Sequence, residues 1–212
     1  MYEKVYMHAI NSKDYDYFYS RAEILTLAKI LRDGAILSLR EQGNTKTRNY
    51  GFNGLDYISL CDYEKRNLVT NGIPNYNSYH SYVKYGISLA FDKQDLEVIE
   101  PKKIDAIHDA VRSKKRIRKL GLLEERYSDF LDEVQVKDRI SLDKLLYLTY
   151  PVRQLYNNYY IYEDEKINKL LMHEINEIRS LLDYYHYNVP IYDIESQILL
   201  DEKGIKKLTR KI

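Results

Sequence analysis

Glu133 is the residue best suited to catalysis. It lies in the stretch Asp132-Glu133-Val134-Gln135-Val136-Lys137-Asp138-Arg139-Ile140. Two valines alternate there with Glu133, Gln135 and Lys137, which is the period of a β-strand. A carboxylate held on a rigid strand can act as a general acid or base, or can stabilise positive charge in a transition state. A solvated glutamate on an ordinary strand would show the same pattern. Glu133 is therefore a candidate catalytic residue whose role depends on its neighbours.

Two other segments carry side chains that could complete such a site. His8 lies in a predicted strand, residues 2–10, and its imidazole can donate or accept a hydrogen bond. Tyr57 begins a second predicted strand, residues 57–61, and supplies an aromatic face. Each also has a simpler interpretation, as a strand histidine without a ligand and as a core tyrosine.

The residues are positioned by predicted helices and strands that are interspersed along the chain. Ser20-Arg21-Ala22-Glu23 fits a capping box, and the helix that follows is predicted to end at Asp33-Gly34. Apolar residues recur at helical spacing over 164–187, which predicts a long amphipathic helix. Further helices are predicted at 78–84 and 141–148, further strands at 35–39, 86–91, 96–99, 132–140 and 189–194, and a frayed basic tail at 203–212.

Composition bounds the class of protein. The chain has 212 residues, 44% of them hydrophobic and 31% charged, with a net charge of +1, which suits a globular domain whose overall charge selects no partner. The single cysteine, Cys61, allows no internal disulfide and is predicted to be a small buried hydrophobe. No apolar run reaches the length of a membrane span, and the first residues lack the apolar core of a signal peptide, so a cytoplasmic location is predicted. No metal site is predicted, because no His-Glu-x-x-His or paired-cysteine motif occurs.

Five different segments follow one another in an order that is typical of a known superfamily. His8 lies on the first strand, and a helix end, a strand, a Ser/Tyr segment and a late glutamate follow. The segments after His8 are Ile30-Leu31-Arg32-Asp33-Gly34-Ala35-Ile36, Gly54-Leu55-Asp56-Tyr57-Ile58-Ser59, Ser78-Tyr79-His80-Ser81-Tyr82 before Gly86-Ile87-Ser88-Leu89, and Glu133-Val134-Gln135-Val136. The set resembles the ADP-ribosyltransferase superfamily in its poly(ADP-ribose) polymerase-like, His-Tyr-Glu branch, which includes bacterial toxins that modify nucleic acid.

The resemblance covers residues 1–150 and implies both a fold and a substrate. It implies an α+β fold with a split β-sheet core and flanking helices, so we expect one domain over 1–212, with 1–150 as the core and 151–212 as a C-terminal helical extension. It implies NAD as the substrate that donates ADP-ribose, with no metal. In the family, a carboxylate near the ribose stabilises an oxocarbenium-like transition state, and aromatic walls hold the nicotinamide.

Residue roles follow from the resemblance position by position. Glu133 matches the catalytic glutamate, and His8 matches the histidine that hydrogen-bonds the NAD ribose. Tyr57 matches the tyrosine that stacks on nicotinamide, and Tyr82 is preferred over Tyr79 and Tyr85 for the other side of the stack. Ser81 or Ser78 would then bond the carboxamide.

The chain also departs from the family pattern. Ala9-Ile10-Asn11 follows His8, where the family often has Gly and then Ser or Thr. Gln135 lies two residues after Glu133 on the same face. If the chain aligned with the Glu-x-Glu members, Gln135 would hold the catalytic place and activity would be lost. The sequence after Glu133 matches the branch with a single glutamate, which favours Glu133.

The acceptor of ADP-ribose is expected to bind near the segment before the catalytic strand. That segment is basic, and Tyr127 and Phe130 follow it as aromatic side chains that could stack on a base. Its positive residues are Arg112, Lys114, Lys115, Arg116 and Arg118. Such a cluster suits DNA or RNA, although a solvated helix face or an acidic protein partner would show the same composition.

The predicted function is therefore an NAD-dependent mono-ADP-ribosyltransferase that modifies nucleic acid or protein, as a bacterial or phage toxin or defence factor with an antitoxin or regulatory partner. Three alternatives stay open at this point: an NAD glycohydrolase, an inactive member of the fold that binds nucleic acid or protein, and an RNA 2′-phosphotransferase. The last relies on basic residues for phosphate, so Glu133 argues against it.

Overall fold

The computed structural model describes residues 4–10, 19–43, 56–65, 79–103, 127–128, 130–159 and 162–208. Within these ranges the chain forms an α+β fold built on a mixed six-stranded sheet, which confirms the predicted class. The helices are α1 (Tyr19–Asp33), α2 (His80–Tyr85), α3 (Val152–Asn158), α4 (Asp164–Tyr184) and α5 (Glu202–Leu208). The strands are β1 (Val5–Ala9), β2 (Ala35–Leu37), β3 (Tyr57–Asp62), β4 (Ser88–Asp92), β5 (Lys102–Lys103), β6 (Tyr127–Ser128), β7 (Glu133–Lys137), β8 (Arg139–Ser141), β9 (Leu145–Tyr150) and β10 (Ile191–Asp193).

The six-stranded sheet places the predicted site strands at one end. Its order is β10-β9-β4-β1-β3-β7, and every pair is antiparallel except β10 with β9. Strand β7, which carries Glu133, therefore lies beside β3 and is separated from β1 by it. Two further two-stranded sheets are formed by β2 with β8, which are antiparallel, and by β5 with β6, which are parallel.

Alternation along the strands divides the core between the two faces of the sheet. Val134 and Val136 join the larger apolar cluster, in which α1 and α4 cover one face. Cys61 and Met7 belong to the smaller cluster on the other face, together with residues of α2. Because directly opposed residues of antiparallel strands share a face, Glu133, which is paired with Cys61, points to the smaller cluster.

Two sequence-based assignments of elements around the site are wrong. The helix predicted at 141–148 is a short 3₁₀ turn, 142–144, followed by strand β9, which lies inside the sheet. Short apolar runs are ambiguous between helix and strand, and here the pairing with β4 decides. The single strand predicted at 132–140 is two strands, β7 and β8, because Asp138 has a positive φ of 61° and turns the chain between them.

Smaller corrections concern three more segments. Helix α1 begins at Tyr19, so Ser20 lies in its first turn rather than before it. Residues 96–99 form no strand, and Ile99 makes only an isolated bridge to Gln135. The tail predicted to fray contains α5, whose Ile205 and Leu208 are buried, while residues 209–212 lie outside the described ranges.

The region after residue 150 shares the main core. Strand β10 extends the sheet beside β9, and the apolar stripe of α4 packs in the same cluster as α1. In the portions of the chain that the structure describes, no helix combines the length and apolar character needed to cross a bilayer.

Candidate active site

Glu133 is buried, with only 2% of its surface exposed. Its carboxylate oxygen Oε1 accepts a hydrogen bond of 2.6 Å from the Ser59 hydroxyl and one of 3.1 Å from the Gln135 side-chain amide. A buried carboxylate is costly unless polar donors surround it, and these two neighbours supply them. The interpretation of Glu133 as a solvated strand residue is therefore wrong.

Ser59 connects the parts of the site. Its hydroxyl donates to Glu133, while its backbone oxygen accepts from two side chains on other elements. The Nδ1 atom of His8 lies 3.0 Å from this oxygen, and the Tyr79 hydroxyl donates to it at 3.2 Å. One residue of β3 thus joins Glu133 on β7, His8 on β1 and Tyr79 at the start of α2.

The tautomer of His8 follows from this contact. A carbonyl oxygen can only accept, so Nδ1 carries the proton and Nε2 of the neutral ring is left as an acceptor. Burial lowers the pKa of His8 below its usual value, which outweighs the opposing effect of the Ser59 carbonyl. His8 is therefore a neutral imidazole at pH 7, able to accept a hydrogen bond through Nε2.

The side chains of His8 and Glu133 start from different faces of the sheet. Pairing between β1 and β3 runs only from Tyr6 to Met7, and His8 is paired instead with Leu89 of β4. Since Met7 lies on the Glu133 face, alternation starts the His8 side chain on the opposite one. The two residues are linked through Ser59.

Aromatic rings lie beside this group. Tyr79, Tyr82 and Phe130 form a triangle with centroid separations of 5.3, 5.7 and 5.8 Å. Burial and then the nearby Glu133 charge raise the pKa of Tyr79 far above its usual range, so its hydroxyl stays protonated and remains a donor. Tyr82, predicted as one wall of a nicotinamide stack, is thus part of an aromatic cluster that contacts the Ser59 carbonyl through Tyr79.

Asp132 fixes α2 against the site strand. It is fully buried, with 0% exposure, and its carboxylate accepts the backbone N–H groups of Tyr79 at 2.7 Å and His80 at 2.8 Å. The Cys61 thiol also approaches it at 3.6 Å. Cys61 itself is fully buried, as predicted. Because Asp132 precedes Glu133 directly, the aromatic residues of α2 are tied to the same end of β7.

Tyr57 shares a face with Ser59 but lies further along the strand. It is paired with Lys137, whereas Glu133 is paired with Cys61, four residues along β3. At about 3.3 Å per residue, this is a separation of roughly 13 Å along the strand. Tyr57 is thus closer in register to Gln135 than to Glu133. This supports the alternative alignment in which Gln135, rather than Glu133, holds the catalytic place.

Several predicted residues fall outside the described part of the structure. The acceptor-binding residues Arg112, Lys114, Lys115, Arg116 and Arg118 lie outside it, as does Ser78. Ser81 lies in α2 and Tyr127 in β6, but neither side chain is described. Their predicted roles stay predictions.

Sequence reasoning missed the residue that joins the site, Ser59, and the residue that anchors it, Asp132. Ser59 is a polar residue between Ile58 and Leu60, so strand alternation could have placed it on the face of Tyr57. Asp132 has no local signal, since its partners are 52 and 53 residues away. Among the described residues, no group of three or more His, Cys, Asp or Glu side chains is arranged to hold a metal ion.

Comparison of the chain with family models, curated proteins and solved structures found no match.

Proposed function

We propose that the protein is an NAD-dependent mono-ADP-ribosyltransferase in which Glu133 is the catalytic residue. The observation that carries the proposal is the Glu133 carboxylate, which is buried on a strand and held by two side-chain donors, Ser59 and Gln135. Both are side-chain donors, and a sugar hydroxyl could take the place of either one as a hydrogen-bond donor to the carboxylate. The ordered motifs of the ADP-ribosyltransferase superfamily in the sequence support the same assignment.

The proposed reaction breaks the bond between C1′ of the NAD ribose and the nicotinamide nitrogen. The bonding electron pair leaves with nicotinamide, which departs as a neutral molecule, and positive charge spreads over the ribose ring. A carboxylate beside the ribose stabilises that charge, as electrostatic groups do where charge develops. An acceptor nucleophile then bonds to C1′ and loses its proton, to Glu133 or to water.

The other residues would hold NAD for this step. The His8 side chain starts on the opposite face, but its ring reaches the Ser59 carbonyl next to the point where the pairing of β1 with β3 ends at Met7. Because the Nδ1 proton is directed to Ser59, Nε2 of neutral His8 would accept a hydrogen bond from a ribose hydroxyl that enters there. Tyr82 would face the nicotinamide with its neighbours Tyr79 and Phe130 behind it, while Tyr57 and Ser81 keep the roles that the sequence resemblance implies.

The acceptor in this proposal is a macromolecule, DNA, RNA or protein, bound through the basic segment that contains Arg112 and Lys115. The proposed setting is a cytoplasmic bacterial or phage toxin or defence factor controlled by an antitoxin or regulatory partner. These parts rest on the sequence alone.

Two observations support alternative functions. The 2% exposure of Glu133 favours a small acceptor, and water as acceptor would make the protein an NAD glycohydrolase. Gln135 is also buried on the Glu133 face, which suits an inactive member of the fold if the amide holds the catalytic place.

Incubation with NAD labelled in its adenylate half, with and without mixed nucleic acid and cell lysate, distinguishes these functions. Label that becomes attached to a macromolecule, and is lost in Glu133→Gln, supports the transferase. Free nicotinamide without attached label supports the glycohydrolase. A folded protein that neither binds nor cleaves NAD would exclude both enzymes.

A further inference from the structure

A pocket lies at the far end of α2 from Asp132. It has a volume of about 180 Å³ and is formed by the last turn of α2, the outer face of α3 and the loop after β10. Helix α2 has six residues, so a rise of 1.5 Å per residue separates this pocket from the Glu133 end by roughly 8 Å. The residues that matter to its chemistry are Lys84, Tyr85, Arg153, Gln154, Asn157 and Glu195.

The pocket contains two cations that share one carboxylate. Lys84 Nζ lies 3.5 Å from Oε1 of Glu195, and Arg153 Nη1 lies 3.4 Å from Oε2 of the same residue. Charge-assisted hydrogen bonds are usually about 2.7–2.9 Å long, so both contacts are loose. Lys84 and Arg153 carry two positive charges against the one negative charge of Glu195, so the lining keeps an excess of one positive charge. The Glu195 carboxylate lies between the two cations, where the oxygens of a phosphate could lie.

An aromatic ring adjoins these charges. The Tyr85 side chain belongs to a residue that is 50% exposed, and the Lys84 ammonium lies 5.9 Å from the centre of its ring. Side-chain amides of Gln154 and Asn157 complete the wall of the pocket. A cationic pair for a phosphate beside a ring for a base is the combination by which proteins bind nucleotides in single strands.

The size of the pocket limits what enters it. Pockets that enclose a whole small molecule usually measure about 300–1,000 Å³, so 180 Å³ suits one phosphate group with the rest of the ligand outside. We propose that this pocket binds a nucleotide through one phosphate between Lys84 and Arg153, with the base against Tyr85. The nucleotide can be free or part of a single strand, and the site does not depend on turnover of NAD.

The test measures binding of three probes to the full chain without NAD: inorganic phosphate, adenosine monophosphate and a ten-residue oligothymidylate. The double variant Lys84→Ala, Arg153→Ala is expected to weaken binding of each probe at least tenfold. For the oligonucleotide, the slope of log affinity against log salt should also fall by about 0.7, which is the effect of losing one phosphate contact on a single strand. Preferential binding of the oligonucleotide identifies a strand as the source, and equal binding identifies the free nucleotide.

A matched control uses Arg139 and Lys144, a pair of comparable exposure. Each lies near one carboxylate, Glu41 at 3.7 Å and Asp95 at 3.6 Å. Their double substitution by alanine should leave binding unchanged. If it weakens binding as much as the pocket variant does, the effect is one of general charge and the proposal fails.

Two single variants predict changes that general destabilisation cannot produce. Glu195→Gln removes the competing anion and should tighten binding of all three probes roughly threefold or more. Tyr85→Ala should weaken the nucleotide and the oligonucleotide about tenfold, by the usual magnitude of base stacking, and leave inorganic phosphate unaffected. A phosphopeptide is measured in the same way as a fourth probe. Weaker binding in Glu195→Gln, or binding of the phosphopeptide when neither nucleotide probe binds, would overturn the proposal.

Discussion

Glu133 and Glu23 are both buried glutamates, but they lie on opposite faces of the same sheet and in different surroundings. Glu133 is bonded by two side-chain donors, the Ser59 hydroxyl and the Gln135 amide. Glu23, with 5% exposure, is on α1 among the residues of the larger cluster and accepts the backbone N–H of Ile87 at 3.1 Å. Side-chain donors can be exchanged for a ligand hydroxyl, whereas a backbone donor fixed before a strand cannot.

The space around the two carboxylates differs as well. A Cβ atom added at Gly86 would lie 2.9 Å from Oε1 of Glu23, so α1 packs directly on the chain before β4. Glu174 of α4 lies close enough to affect Glu23 and accepts a hydrogen bond from Tyr150. Burial of a carboxylate is therefore not a sign of function by itself. In this protein the type of donor separates the candidate catalytic group from the structural one.

The largest predicted effect on stability comes from the charge of Glu23. Burial, with a smaller contribution from Glu174, raises the pKa of Glu23 from 4.5 to about 8, against the opposing Ile87 hydrogen bond. The folded state then keeps its proton where the unfolded state has lost it. This contribution to stability is fully present below pH 4.5 and is lost as the pH rises towards 8.

Glu23→Gln removes this titration. We expect its free energy of unfolding to exceed that of the wild type at pH 8 by an amount on the order of 4 kcal/mol, and to match it near pH 4.5. Urea unfolding at several pH values measures the difference. If the free energies of unfolding of the two proteins change in parallel between pH 4.5 and 8, Glu23 is ionised in the folded protein. That result would contradict its assignment as a buried structural carboxyl group.

The second effect concerns the close approach of α1 to Gly86. The backbone of Gly86 is extended, with φ −135° and ψ 171°, so alanine is allowed there and only the contact with Glu23 opposes it. Gly86→Ala should lower the free energy of unfolding by about 2 kcal/mol, the usual cost of overpacking. In a Glu23→Ala background the same change should cost much less, and an equal cost in both backgrounds would contradict the proposed contact.

The smallest effect is expected from Ser59→Ala, which removes one donor to Glu133 and leaves the backbone oxygen that His8 and Tyr79 bind. If Ser59 positions the carboxylate, kcat for nicotinamide release should fall about tenfold with little change in KM, consistent with roughly 1.5 kcal/mol for a hydrogen bond to a charged group. Ser59→Thr keeps the hydroxyl and should restore most of the rate. Loss of NAD binding in Ser59→Ala would instead assign Ser59 to substrate binding.

The sequence predicted those parts of the site that depend on local pattern. Alternation of valines with polar residues located β7 and placed Glu133 and Gln135 on one face, and helical spacing located α4. The helix predicted at 141–148 includes most of strand β9. The segment Leu145-Leu146-Tyr147-Leu148-Thr149-Tyr150 is a short apolar run, and only its partners β4 and β10 decide its conformation.

Contacts between distant segments could not be predicted in the same way. The bond from Ser59 to Glu133 spans 74 residues, and that from Asp132 to Tyr79 spans 53. The first depends on the register of β3 with β7, and the second depends on where the start of α2 packs; a single sequence specifies neither. The same limit applies to Glu23, whose position in a helix suggested a local cap and whose bond to Ile87 spans 64 residues.

The most direct test of the central claim measures NAD binding and nicotinamide release together in three proteins: the wild type, Glu133→Gln and Glu23→Gln. If Glu133 stabilises the charge on the ribose, Glu133→Gln should still bind NAD but release nicotinamide about 10²–10³-fold more slowly, the usual loss for such a group. Glu23→Gln, an identical substitution at a buried site on the other face, should release it at the wild-type rate. Equal rates in the wild type and Glu133→Gln would contradict the account.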